Sequence, residues 1–234
     1  MAARRDLNRT RERILSAALA EFSANGLAGA RTEAIARRAR INKRMLYYCY
    51  GSKRELYAEV QRRKIAEKAQ AIESTPEDFA EALLYLEDQV RRDLDWMRML
   101  QWEALEASGA KLVAEAERRD LFRRVIAKLK RAQSHGAVPS GIDLSQLFIS
   151  TIALTSFPFA FPQMTELVFG MSPTDPRFRR KHREFLRCLG GQLSAGPHLD
   201  RARTDRAPGA GPSEHSGAQA NGRGRDAKGF DDAR

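Results

Sequence analysis

The sequence predicts an all-α protein in which a small basic N-terminal domain is joined by a long helix to a larger helical domain. Apolar residues recur at helical spacing, and no segment shows the sustained alternation of apolar and polar residues that a half-buried strand requires. Alanine, leucine, arginine and glutamate are common, whereas the strand formers valine and isoleucine are sparse. These features exclude an ordinary β or α/β domain.

Capping residues and apolar periodicity define the first three helices. Residues 7–24 form the first, which ends at Asn25-Gly26. Thr32 is expected to cap a second helix, and Asn42 a third that runs through Cys49 and ends before Gly51.

A long fourth helix begins near Lys53 and extends to about residue 72, where it bridges to the rest of the chain. A new start follows at Thr75, expected as a capping residue, with Pro76 at the first helical position. We therefore assign residues 1–63 to the N-terminal domain and residues 64–194 to the second domain.

The second domain is predicted to consist of further helices with apolar stripes. The stretch SFPFAFPQM, residues 156–164, combines three phenylalanines with two prolines that are expected to break the helix. Asp143 is expected to cap the helix before this stretch, and Pro176 to begin the last one. The remaining predicted helices cover residues 79–90, 94–105 and 112–134.

The C-terminal segment, residues 195–234, has a different composition. It is rich in glycine and proline, and its only large apolar residues are Leu199 and Phe230. Such a segment cannot bury enough apolar surface to fold, so it is predicted to be a disordered tail. Its balanced charge favours a passive extension over a nucleic-acid-binding tail.

Positive charge is concentrated in the first quarter of the chain. The formal net charge is +11, of which residues 1–63 carry +9, while residues 64–195 and 196–234 carry +1 each. Cations clustered on one body attract a polyanion and release its counterions. The N-terminal domain is therefore expected to bind nucleic acid or, alternatively, an anionic membrane surface.

Signatures of enzymes, metal sites and membrane spans are missing. Cys49 and Cys188 lie far apart, the four histidines are scattered, and neither a phosphate loop nor a hydrolase motif occurs. No apolar run approaches the roughly 18 residues that a membrane span needs. We expect no enzymatic activity, no cofactor, no metal and no membrane partner, and we expect a cytoplasmic protein.

The second and third helices have the spacing of a helix-turn-helix. The two helices of this motif cross closely, so they need a small residue at the contact and an apolar residue that anchors the second helix. Ala36 and Leu46 meet these needs, and Ile41 fills the turn. Arg40 stands at a turn position that favours glycine, because the backbone there adopts a positive φ.

The stretches TRERILSAALAEFSANG and TEAIARRARINKRMLYYCYGSKRELY, with the long helix that follows, resemble the DNA-binding domain of the TetR family of transcriptional regulators. The resemblance covers about residues 8–60. Arg40 and Asn42 depart from the family's usual glycine and serine, although Asn42 keeps the capping chemistry. The resemblance implies a helical second domain that binds a small ligand and forms a dimer. The positions that carry it are Phe22, Gly26, Thr32, Ile35, Ala36, Ala39, Lys43, Leu46, Tyr47, Tyr48, Tyr50, Lys53 and Leu56.

The resemblance assigns the third helix to DNA recognition in the major groove. Lys43 and Arg44 lie in its first turn, where either can bond guanine or a phosphate, and Met45 can contact a thymine methyl group. Leu46 and Tyr50 are expected to face the core instead. The predicted DNA-binding residues are Thr32, Lys43, Arg44, Met45, Tyr47, Tyr48 and Lys53.

Large aromatic and thioether side chains, which line most small-molecule pockets, suggest candidates for a ligand cavity in the second domain. The alternative is that they are ordinary core residues. The candidates are Trp96, Met99, Trp102, Glu103, Phe122, Phe157, Phe161 and Met164. By resemblance, the last two long helices form the dimer interface, with contacts from Phe148, Ile152, Phe185 and Leu189.

These expectations combine into a ligand-responsive, sequence-specific DNA-binding regulator. A homodimeric repressor would hold a palindromic operator in double-stranded DNA and leave it when a small, largely apolar effector binds, with the fourth helix as the lever. The alternative is a sequence-neutral nucleic-acid-binding protein with a helical oligomerisation domain. That alternative explains the basic N-terminal domain but not the helix-turn-helix spacing.

Overall fold

The computed structural model describes residues 2–106 and 112–194, and within them it contains ten α-helices and no strand. This confirms the all-α prediction. The predicted tail, residues 195–234, lies outside the described residues. The helices are α1 Ala2–Gly29, α2 Thr32–Arg38, α3 Lys43–Tyr50, α4 Lys53–Glu73, α5 Phe79–Arg91, α6 Leu94–Glu106, α7 Glu115–Ser134, α8 Leu144–Ala160, α9 Pro162–Phe169 and α10 Pro176–Ser194.

A first core lies among α1, α2, α3 and α4. Phe22 of α1 is completely buried, and its ring meets that of Tyr57 of α4 edge to face at a centroid distance of 5.0 Å. Leu46 holds α3 against the same cluster. Met99 of α6 is also completely buried in it. The second domain therefore contributes a side chain to the N-terminal core.

A second core lies among α5, α8 and α10, with Val138 from the loop after α7. α10 packs so closely on α5 that a Cβ atom on Gly190 would lie 2.5 Å from the Cα atom of Ala80. An ion pair fastens the same two helices, because Arg183 donates to the fully buried carboxylate of Glu87 at 2.8 Å. The fold thus has two cores, the first formed by α1 to α4 with Met99 of α6 and the second by α5, α8 and α10.

Two of the predicted caps are confirmed. The side chain of Asn42 accepts a hydrogen bond from the backbone amide of Met45 at 2.8 Å and begins α3. Asp143 accepts from the amide of Gln146 at 2.8 Å and begins α8. α10 also begins at Pro176, as predicted.

Two other predicted caps are wrong. Thr32 is the first residue of α2, and the capping position is occupied by Arg31, whose side chain makes no capping bond. Thr75 donates to the carbonyl of Ala71 instead of capping α5. The residue that caps α5 is Asp78, which directly precedes the first buried residue of that helix. Its carboxylate accepts a hydrogen bond from the amide of Glu81 at 2.8 Å.

Glycine and proline interrupt the helices at places that differ partly from the prediction. α1 is kinked at Gly26, where φ is 66° and ψ is −176°, and continues to Gly29. Pro158 lies inside α8, whereas the break falls at Phe161, just before Pro162 begins α9. Among the described residues no single helix is long and apolar enough to cross a membrane; α8 and α9 pass that test only as a pair bent by 81°.

Candidate nucleic-acid interface and ligand cavity

Most of the predicted DNA-binding side chains lie on the outer face of α3. Tyr48 is largely open to solvent, with 76% of its surface accessible. Leu46, on the opposite face, is completely buried and anchors the helix to the N-terminal core. The exposed members are Lys43, Arg44, Met45, Tyr47 and Tyr48.

Contacts between α2 and α3 orient part of this face. The ammonium of Lys43 forms an ion pair with Glu33 and lies 5.8 Å from the ring centre of Tyr47. The hydrogen bond between them raises the pKa of Lys43 and lowers that of Glu33. The hydroxyl of Tyr47 lies 3.4 Å from that of Thr32. A phosphate that binds here must therefore compete with Glu33 for Lys43.

The turn between α2 and α3 is strained and clamped. Arg40 has a φ of 52°, which agrees with the positive φ expected at this position. The guanidinium of Arg13, in α1, donates to the carbonyls of Ala39 and Arg40, the latter at 3.0 Å. Arg13 thus fixes the turn that sets the direction of α3. Nothing in the sequence distinguishes it from the other arginines of the first helix.

Two of the predicted phosphate-binding residues are occupied inside the protein. Lys53 directs its ammonium at the carbonyls of Ala28 and Ala30, at 3.1 and 3.0 Å, and so ties the start of α4 to the end of α1. Thr32 is buried, with 7% of its surface accessible. The polar atoms of both residues already have partners within the protein. We therefore infer that these residues support the exposed face of α3 from the protein side.

Tyr50, the last residue of α3, lies partly in the core and partly at the surface. Its ring packs against the N-terminal core, as predicted, but the side chain is only half-buried. The hydroxyl donates to the carbonyl of Arg11 at 3.2 Å. Burial raises the pKa of Tyr50 to about 12, so the hydroxyl stays protonated at neutral pH.

Exposed arginines surround α3. None of six arginines on α2, α3, the neighbouring turns and the first turn of α4 forms an ion pair within the part of the chain that the structure describes. Uncompensated cations on one face create a positive potential that attracts a polyanion. These residues are Arg31, Arg37, Arg38, Arg40, Arg44 and Arg54.

Three of the predicted cavity residues on α6 contact α1 or α4, and one of them, Trp102, also lines an open pocket between α1 and α6. The indole of Trp96 donates to Gln61 of α4 at 3.1 Å, and that of Trp102 donates to the carbonyl of Ser23 of α1 at 3.2 Å. Met99 is buried between them in the first core. These contacts were not predicted, because helical periodicity does not reveal that α6 packs along α1.

The last residue of α6 binds the backbone of α1 just after its kink. The carboxylate of Glu106 accepts hydrogen bonds from the backbone amides of Leu27 and Ala28, both at 3.2 Å. These amides follow Gly26, where any side chain would overlap the carboxylate. One turn earlier in α6, Glu103 forms an ion pair with Arg118 of α7 at 2.8 Å. Glu106 was missed because no local pattern marks it.

A cavity of about 350 Å³ lies between the end of α4, α5, α7 and α8. None of the eight predicted cavity residues lines it. Its apolar wall includes Phe79, Leu86, Val125, Leu129 and Phe148. Lys128 of α7 is the lining cation whose ammonium reaches the end of α4.

The other predicted cavity residues lie at the surface. Phe122 packs against Phe148, and Phe157 packs against Phe161, at centroid distances of 5.6 and 5.0 Å. Met164 is exposed on α9. These side chains are therefore not part of the cavity lining.

The predicted dimer residues divide between the cavity and the surface. Phe148 and Ile152 both line the cavity, and Ile152 is also 45% exposed. Phe185 of α10 is 51% exposed, and Leu189 is partly buried. Ile149 of α8 is exposed beside them in sequence. α8 and α10 therefore carry large apolar side chains that the described chain leaves uncovered.

Two family models match the chain. Residues 14–60 match the model described as bacterial regulatory proteins, tetR family. Residues 76–187 match the model described as the tetracyclin repressor-like C-terminal domain. Together the two matches cover the helix-turn-helix and α5, α7 and α8 around the cavity.

Individual proteins give the same picture. The HTH-type transcriptional repressor SCO4008 of Streptomyces coelicolor is 34% identical over 168 residues, which are 72% of this chain and 88% of that protein. The repressor NicS of Pseudomonas putida is 47% identical over 53 residues, 23% of this chain and 25% of its own length. The crystal structure of the putative regulator SCO4942 of S. coelicolor superposes with a TM-score of 0.65 at 26% identity, covering 77% of this chain and 96% of that one.

The strained turn at Arg40 leads to a test of stability. We expect Arg40→Gly to raise the free energy of unfolding by about 1 kcal/mol, because glycine adopts a positive φ without steric cost. Arg37→Gly is the matched control: it removes an exposed arginine from α2 and should lower stability by up to about 1 kcal/mol. Urea unfolding at one fixed protein concentration measures both. Equal losses in the two variants would show that the turn is not strained.

Proposed function

Because the chain belongs to the TetR family of bacterial transcriptional regulators, we propose that it is a repressor that binds a palindromic operator as a homodimer and releases it when a small molecule binds. The relative SCO4008 is named a repressor, which supports this direction of regulation. The family membership makes the protein a DNA-binding regulator rather than an enzyme.

The observation that carries the proposal is the outer face of α3. Its exposed side chains suit readout of base edges and phosphates, and the unpaired arginines around it supply attraction for the DNA backbone. Arg44 is the best candidate for base readout, since it is exposed, has no ion-pair partner among the residues that the structure describes and lies in the first turn. Arg13 and Lys53 position this face from within.

The exposed apolar side chains of α8 and α10 support dimerisation. A second copy placed on them would cover Ile149, Ile152 and Phe185, which a monomer leaves in water. The two DNA-binding domains of a symmetric dimer must place their recognition helices one DNA turn, about 34 Å, or a multiple apart. Dimer geometry is therefore what a ligand must alter to change operator affinity.

The contacts of α4 and α6 supply a route between a ligand and the DNA-binding domain. α4 runs from the interface, where Lys53 holds it, to the cavity, which Ile72 lines. In between, Gln61 bonds Trp96, and Lys64 pairs with Asp93 at 3.0 Å. A ligand that shifts the end of α4 thus also acts on α6, which grips α1.

Arg44→Ala tests the assignment of α3. Binding to an operator selected from fragments of the host's own DNA is measured by fluorescence anisotropy over a range of salt concentrations. We expect the variant to lose about 1–3 kcal/mol of binding free energy and to relax the preference at one base pair. The wild type should keep one preferred palindrome as salt rises.

The matched control for this experiment is Arg123→Ala, which removes an exposed arginine from α7. It should bind the operator like the wild type. If the wild type lost affinity for all DNA sequences equally as the salt concentration rose, the protein would be a sequence-neutral nucleic-acid-binding protein. If Arg44→Ala bound normally, α3 would not be the recognition helix.

Phe185→Glu tests the dimer. A carboxylate in place of an exposed aromatic ring on α10 should prevent the pairing of two apolar faces and leave a monomer at micromolar concentration in sedimentation velocity. Operator binding should weaken with it, because linked heads bind more tightly than single ones. Lys130→Glu, on the exposed side of α7, is the control and should remain a dimer. A monomeric wild type would contradict the proposal directly.

A further inference from the structure

The cavity is apolar except where α7 meets the end of α4. Its charged and titratable lining residues come from these two places: Glu73 ends α4 and Glu77 follows it, and Lys128, Arg131 and His135 belong to α7 and its end. The two glutamates are exposed, so water screens their charges. Lys128 is partly shielded and dominates the local field.

Lys128 carries a charge that the described protein does not neutralise. Its ammonium donates to the carbonyls of Ile72 and Thr75, both at 2.7 Å, and of Glu73 at 3.4 Å. No carboxylate lies within ion-pair distance of it in residues 2–106 and 112–194. All three donors therefore point at neutral oxygens, although a lysine bonds an anionic oxygen more strongly.

We propose that the effector is an amphipathic carboxylate whose charged group binds Lys128 and whose apolar body fills the cavity. This inference rests on the proposed function, because it names the ligand of the same regulator. The apolar body would lie among Phe79, Leu86, Leu129 and Phe148. The carboxylate accepts hydrogen bonds from Lys128 in place of the backbone carbonyls.

The exchange of partners also explains how such a ligand acts on DNA binding. Lys128 ties the last turn of α4 and the segment up to Thr75 to α7. When a carboxylate takes over the ammonium, the carbonyls of Ile72 and Thr75 lose their shared donor. The end of α4 is then released from α7, while its start remains tied to α1 by Lys53. Ligand and α4 compete for one cation.

Octanoate and octan-1-ol test the inference, since they share an eight-carbon body and differ in charge. Calorimetric titration of the full chain should show octanoate binding at least about tenfold more tightly than octan-1-ol. In Lys128→Gln this ratio should fall to near one while octan-1-ol binds as before, because the carboxamide keeps hydrogen-bond donors but has no charge. Lys130→Gln, a neighbouring lysine outside the cavity lining, should behave like the wild type.

Lys128→Arg is the control for a purely structural effect of the substitution. It keeps the positive charge at this position and must therefore keep the preference for octanoate. The inference is overturned if neither probe binds, if both bind the wild type equally, or if Lys128→Gln keeps the preference. It is also overturned if octanoate binds without weakening operator affinity. Operator binding without any probe is measured in parallel, and its absence would refute the proposed function instead.

Discussion

The contact between α6 and α1 joins the DNA-binding surface to the rest of the molecule. Glu106 satisfies two backbone amides just after the kink at Gly26, Trp102 bonds the carbonyl of Ser23, and Met99 is sealed in the N-terminal core. Hydrogen bonds to a charged group are worth about 1.5–3 kcal/mol each. The N-terminal domain is therefore held in a defined orientation, which a regulator needs if a distant ligand is to move it.

α4 complements this contact because it is fastened at both ends by lysine ammoniums that bond backbone carbonyls. Lys53 holds its start to the end of α1, and Lys128 holds its end to α7. Between them the Gln61–Trp96 hydrogen bond links α4 to α6. Carbonyl acceptors are weaker partners for a cation than carboxylates or phosphates. The proposed ligand carboxylate would thus replace a weaker backbone partner at the end of α4, while Lys53 keeps the start of the helix on α1.

The sequence predicted local structure well and long-range packing poorly. The cap at Asn42, the buried Leu46 and the positive φ of Arg40 all depend on residues close in the chain, so spacing revealed them. The contacts of Trp96 and Met99 could not be predicted, because an apolar residue of a cavity wall and one of a helix contact look alike until their partners on α1 and α4 are known.

The same limit applies to single polar residues whose role depends on a distant backbone. Arg13, Glu106 and Lys128 each bond backbone atoms more than 25 residues away. Backbone amides and carbonyls carry no sequence signature, so no motif marks their partners. For Lys53, the resemblance predicted a phosphate contact. In the structure its ammonium donates to the carbonyls of Ala28 and Ala30, which no motif marks either.

Hydrogen exchange of the segment that follows the kink in α1 tests the central claim most directly. In Glu106→Ala the amides of Leu27 and Ala28 lose their acceptor, so we predict faster exchange there together with weaker operator binding. Leu105→Ala changes an exposed neighbour on α6 and should leave both unchanged. Unaltered exchange and operator affinity in Glu106→Ala would contradict the account, because α1 would then keep its orientation without α6.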